Sequence, residues 1–100
     1  MLVHTVLFWL REDLSADTVA EFRAGLETLK GIQCAEVIYV GSPAATKPRP
    51  GVIIDDYDFC LTVVLKDVKA HDAYQVDPLH KAFIKTYSPF FKQVRIYDAD

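Results

Sequence analysis

Residues 71–83 read HDAYQVDPLHKAF, and the Asp-Pro pair inside them organises the last third of the chain. Asp77 precedes a proline, which biases it away from helical dihedrals, so a helix starting near Ala70 is predicted to end near Val76. Asp77 can then cap a second helix, with Pro78 at the first position, where a missing N–H costs nothing. This places Tyr74 in the last turn of one helix and His80 in the first turn of the next. A phenol and an imidazole held at one corner can donate and accept protons without a metal. The corner is a candidate site.

Upstream, Val3 to Trp9 reads as a strand. One face holds His4, Val6 and Phe8 and the other Val3, Thr5, Leu7 and Trp9. Neither face is solvent-like, so the strand is expected to be covered on both sides. Ser15 is the expected N-cap of a helix running to about Lys30. Leu14 and Val19 have the spacing of a hydrophobic staple, and Gly31 supplies the stop. Ala35 to Val40 is a second strand. Residues 41–52, GSPAATKPRPGV, hold three prolines and two glycines and read as a long loop. Asp58 to Lys66 is a third strand, with Phe59, Leu61, Val63 and Leu65 on one face. A helical pair fills Asp67 to Tyr87. In a last strand Val94, Ile96 and Asp98 alternate with Gln93, Arg95 and Tyr97.

The order β-α-β-β-α(α)-β describes an α+β, ferredoxin-like domain over residues 1–100, a four-stranded antiparallel sheet with its helices on one face. Those helices leave the second apolar face of the first strand uncovered. A second copy of the chain, packed sheet to sheet about a two-fold axis, is the expected cover.

Composition narrows the classes further. A chain of 100 residues, 51% of them hydrophobic, folds as one domain. The net charge is −3, and no basic run invites nucleic acid. No apolar stretch reaches the ~20 residues of a membrane span, and no signal peptide is evident, so a cytoplasmic protein is expected. Cys34 and Cys60 are too few for a disulfide framework and read as buried or half-buried free thiols. Asp55, Asp56 and Asp58 read as solvated carboxylates, and His71 as solvent-facing. Trp9, Phe90 and Phe91 read as core or dimer interface. Neither His71-Asp72 nor Asp77…His80 has metal-ligand spacing, and no phosphate loop is present, so neither a metal nor a cofactor is expected.

Four segments, HTVLFWL, DYDFCLTVVL, AYQVDPLHKAF and VRIYDAD, together resemble the stress-responsive A/B barrel (Dabb) family over nearly the whole chain. The resemblance implies a dimeric α/β barrel of two ferredoxin-like protomers. It also implies a cofactor-free site, because in a plant cyclase of the family a tyrosine and a histidine at this corner serve an aldol cyclisation. Tyr74 and His80 match those positions, and His4 matches a first-strand histidine. Phe59 and Gly25 stand where that cyclase carries a histidine and a tyrosine, so its substrate does not transfer.

The candidate catalytic residues are therefore His80, Tyr74 and His4. His80 lies near the third position of a helix, where the dipole disfavours the imidazolium and suits a neutral base. The alternative is that it only holds the corner by a hydrogen bond. Tyr74 either donates to a developing oxyanion or fills the gap between helix and sheet. His4 either orients a substrate or is a satisfied core residue. Three functions follow: acid/base chemistry of lyase or cyclase type on a carbonyl compound, a non-enzymatic stress-related dimer that binds a small apolar ligand, and a cofactor-free monooxygenase.

Overall fold

A computed structural model describes all 100 residues. Four strands, β1 (Leu2–Leu10), β2 (Ala35–Gly41), β3 (Phe59–Leu65) and β4 (Phe91–Ala99), form one antiparallel sheet in the order β2-β3-β1-β4. Helices α1 (Ala16–Thr28), α2 (Val68–Val76) and α3 (Pro78–Tyr87) complete the ferredoxin-like α+β fold. No helix is long and apolar enough to cross a membrane.

Local chemistry explains each helix boundary. Ser15 caps α1, its Oγ accepting from the Thr18 N–H at 3.1 Å. The helix gives way after Thr28 to a 3₁₀ turn over Leu29–Gly31, slightly earlier than the apolar spacing suggested. Asp67 caps α2 through the Ala70 N–H at 2.8 Å. Asp77 is extended, at φ −60° and ψ 138°, and its carboxylate accepts from the Leu79 N–H at 2.9 Å with Pro78 in the first turn. The Asp-Pro break thus ends one helix and starts the next within a single residue, as the sequence predicts.

The two sheet faces differ. The strand alternation turns Leu2, His4, Val6, Phe8 and Leu10 of β1, with Phe59, Leu61, Val63 and Leu65 of β3, toward the helices, where all are buried. Phe22, Leu26 and Leu29 meet them from α1 and the turn after it, each fully buried. The opposite face carries Val3, Thr5, Leu7 and Trp9 beside Tyr97, Val64, Val37 and Tyr39. No helix covers it; the irregular segment reaches one part, where Val52, Ile54 and Asp56 lie beside Leu7 and Trp9, and Tyr39 and Tyr97 are exposed.

Three details correct the sequence reading. Strand β4 begins at Phe91 rather than Gln93, with a bulge opposite Trp9 and Leu10. The irregular segment extends from residue 42 to 58, and its only positive φ is at Gly51, in a turn. Two of the carboxylates before β3 are engaged rather than simply solvated. Asp58 accepts from the Leu10 N–H at 2.7 Å, and Asp56 from the Trp9 indole at 3.2 Å. Both tie the end of the irregular segment to β1.

Candidate active site at the sheet–helix corner

The expected corner exists, and the sheet supplies the rest of its wall. Tyr74 is fully buried in the last turn of α2, and its ring centroid lies 4.9 Å from that of His80. His4 stands beneath them on β1, 5.7 Å from the Tyr74 ring. All three line one cavity of about 120 Å³. Its remaining wall is apolar, with Val6, Leu61, Phe83 and Val94 among the lining residues. The Ile84 and Ile96 side of the wall is exposed, so the cavity has a mouth between α3 and the edge strand β4.

Burial sets the proton chemistry. The Tyr74 phenol is pushed well above its ordinary value, first by burial and then by the nearby Cys34 and Asp77. It stays protonated at neutral pH, and no protein group hydrogen-bonds its hydroxyl. A buried donor without a partner carries a free-energy penalty that a bound oxygen atom would relieve. The His80 imidazole is held below its usual value, chiefly by burial and further by His4 and His71. A backbone hydrogen bond at Gln75 and the Asp77 carboxylate act in the opposite direction. His80 is the third residue of α3, where the positive end of the helix dipole also opposes the cation. It is neutral at pH 7 and able to accept a proton.

His4 is both a satisfied core residue and a wall of the cavity. Its Nδ1 contacts Asp98 Oδ1 at 2.5 Å, because His4 and Asp98 are cross-strand partners in the β1–β4 register. With the proton on Nδ1 donated to that carboxylate, Nε2 keeps its lone pair. Asp98 was not among the residues singled out from the sequence. The alternation does place it on one face with Val94 and Ile96, but only the register puts it opposite His4.

His71 corrects an expectation. Rather than facing solvent, its side chain is 20% exposed and its ring lies 5.0 Å from that of His4. One helical turn separates it from Tyr74, so α2 delivers both rings to the same edge of the sheet. Cys34 and Cys60 are half-buried free thiols, as expected.

The two departures from the plant cyclase also have a physical account. Phe59 is buried in the aromatic core, stacked on Phe22 with centroids 5.7 Å apart, and does not line the cavity. Gly25 faces the Tyr87 ring so closely that a Cβ there would lie 2.3 Å from Tyr87 Cε2. Tyr87 occupies the room that a first-helix side chain would need.

An antiparallel sheet beneath three helices, with a polar-tipped apolar cavity at the corner, defines a ferredoxin-like α+β protein. The model of the stress-responsive A/B barrel domain family matches residues 2–100. The chain belongs to that family. Among solved structures it is similar to a dimeric ferredoxin-like protein of unknown function from Thermobifida fusca, at 21% identity over 98% of this chain and 88% of the other, with a TM-score of 0.78. A hydroxynitrile lyase from Passiflora edulis aligns at 14% identity over 98% and 90% of the two chains, with a TM-score of 0.79. An antibiotic biosynthesis monooxygenase aligns at 13% identity over 100% and 97%, with a TM-score of 0.74. At these identities the likeness shows a shared fold. No curated protein matches the sequence.

Proposed function

We propose that the protein performs cofactor-free acid/base chemistry, of lyase or cyclase type, on a small carbonyl compound or its adduct. The observation that carries this reading is the convergence of Tyr74, His80 and His4 on one apolar cavity, with the Tyr74 hydroxyl unpartnered. In the lyase direction, with a hydroxynitrile as substrate, His80 takes the hydroxyl proton as the carbon–carbon bond breaks. The oxygen becomes the carbonyl, and cyanide leaves with the proton from His80 as hydrogen cyanide. Tyr74 donates a hydrogen bond to the substrate oxygen throughout, and His4 holds the other side of the cavity.

Cavity size limits the substrate. An engineered apolar cavity of about 150 Å³ holds a benzene molecule, and the 120 Å³ here is smaller. A compact carbonyl compound fits inside, and a longer one must extend through the mouth beside Ile84 and Ile96.

The reading includes a two-fold homodimer. The open part of this face brings Val37, Tyr39 and Tyr97 together as exposed large apolar residues, a contiguous patch rather than scattered ones. The dimeric state of the similar Thermobifida protein supports it.

The test is turnover of small aliphatic and aromatic hydroxynitriles, followed by aldehyde release, alongside aldol cyclisation of short polyketone compounds. His80→Ala and Tyr74→Phe are each expected to lower kcat/KM by about 10²–10⁴-fold while the dimer and its far-UV spectrum persist. Binding of an aromatic probe without turnover of either substrate class would instead favour the ligand-binding dimer.

A further inference from the structure

We propose that His4, His71 and Asp98 together form a binding site for a divalent transition-metal cation of the zinc or cobalt type. The three residues come from β1, α2 and β4, and one donor atom from each lies within 4.8 Å of those of the other two. Two imidazoles and a carboxylate are a donor set that suits such cations and leaves coordination positions open, whereas magnesium and calcium prefer oxygen ligands.

The geometry needs little adjustment. Two donors on one metal at ~2.1 Å each lie at most ~4.2 Å apart, so rotation of the partly exposed His71 and Asp98 side chains brings the set within range. His4 is fixed by the sheet, and a cation would take the place of the proton between its Nδ1 and Asp98 Oδ1, which now lie 2.5 Å apart. His71 is oriented from outside the set, its Nδ1 lying 3.2 Å from Asp72 Oδ1. A carboxylate on one imidazole nitrogen fixes the tautomer and leaves the other nitrogen with a lone pair, the usual support for a metal-binding histidine; here that Nε2 lies 3.4 Å from the Gln75 amide nitrogen, a contact the cation would displace. The Asp98 side chain is 44% exposed, so a cation has a route in from solvent. The site shares His4 with the cavity but does not depend on the proposed turnover, and His80 takes no part in it.

The experiment uses tag-free dimeric protein and two probes, Zn²⁺ by calorimetry and Co²⁺ by its visible absorption. One cation per chain is expected, with micromolar or tighter affinity. His71→Ala and Asp98→Asn should each weaken binding by more than the about 10–100-fold that loss of a merely supporting partner produces. Both side chains are partly exposed, so both variants should fold, as far-UV circular dichroism would check. His80→Ala should bind Co²⁺ like the wild type, whether or not it has lost turnover. Absence of Zn²⁺ binding at submillimolar concentration would overturn the proposal. Equal binding by wild type and both ligand variants would do the same, since it would place the cation elsewhere.

Discussion

The two faces of the sheet are built from the same strands, yet they do different work. On the helix side, alternate residues of β1 and β3 pack under Phe22, Leu26 and Leu29 into a closed core. That core is interrupted only where His4 and Asp98 replace apolar partners at one end of the β1–β4 pair. On the other side, Leu7, Thr5 and Val3 run between Cys60, Thr62 and Val64 and the polar residues Arg95 and Tyr97. One face thus holds the core and the candidate site of the protomer. The other offers an apolar surface that the protomer leaves largely open. A strand codes both faces through a period of two, but only contacts decide which face becomes core and which becomes interface.

The comparison breaks first if the helix side is not the stability core. Phe22 makes ring contacts with Phe8, Phe59, Phe83, Tyr87 and Phe91. Phe22→Ala is therefore expected to lose ~3–5 kcal/mol, lowering the melting temperature by ~15 °C or more in a domain this size. Urea unfolding of the variant measures it, and a loss under ~1 kcal/mol would mean the core lies elsewhere.

The opposite outcome is expected on the open face. Thr62→Asp should leave the protomer's secondary structure in place but convert the proposed dimer to a monomer, since its register neighbours Thr5 and Tyr39 offer no cation and an interface of ~800 Å² per protomer cannot bury an unpaired carboxylate. Sedimentation velocity reads the mass. A variant that stays dimeric would show that the contact uses another surface.

A smaller effect sharpens the packing of the helices over the sheet. Gly25→Ala gains helix propensity of ~1 kcal/mol but drives a methyl group into the Tyr87 ring, a penalty of ~1–3 kcal/mol. A net loss of ~1 kcal/mol is expected from these opposing terms. In a Tyr87→Ala background the same change should become neutral or stabilising, and a loss of equal size there would deny the contact.

The smallest effect is the pH dependence. The His80 imidazole has a lower proton affinity in the folded chain than its ordinary 6.5, first because of burial. As pH falls through 6.5 the unfolded chain takes up this proton before the folded one does, so stability falls with pH in that window. Above it, both states are neutral and the contribution is constant. Melting curves between neutral and mildly acidic pH should therefore slope more steeply for the wild type than for His80→Ala. Equal slopes would mean that His80 is not held neutral by the fold.

Much of this arrangement was legible in the order of residues. The Asp77 and Ser15 caps, the Asp-Pro break and the alternation along β1 and β3 are local signals, fixed by a backbone's few allowed dihedrals and by periods of two and 3.6 residues. Tyr74 and His80 could be placed at a corner because a single dipeptide makes that corner. His71 was misread for a related reason. Position along a short helix does not say which neighbour crosses above it, and on α2 the edge nearest His4 took both His71 and Tyr74.

The sequence by itself determined the element order, the caps, the doubly apolar first strand and the Tyr74–His80 corner, because each depends on residues a few positions apart. Only the tertiary structure decided that Asp98 meets His4 across 94 positions of chain, that His71 joins them, and that Tyr87 fills the space opposite Gly25. Those pairings depend on strand register and helix crossing. Both are set by the best burial of the whole apolar surface at once, a property no short stretch of sequence contains.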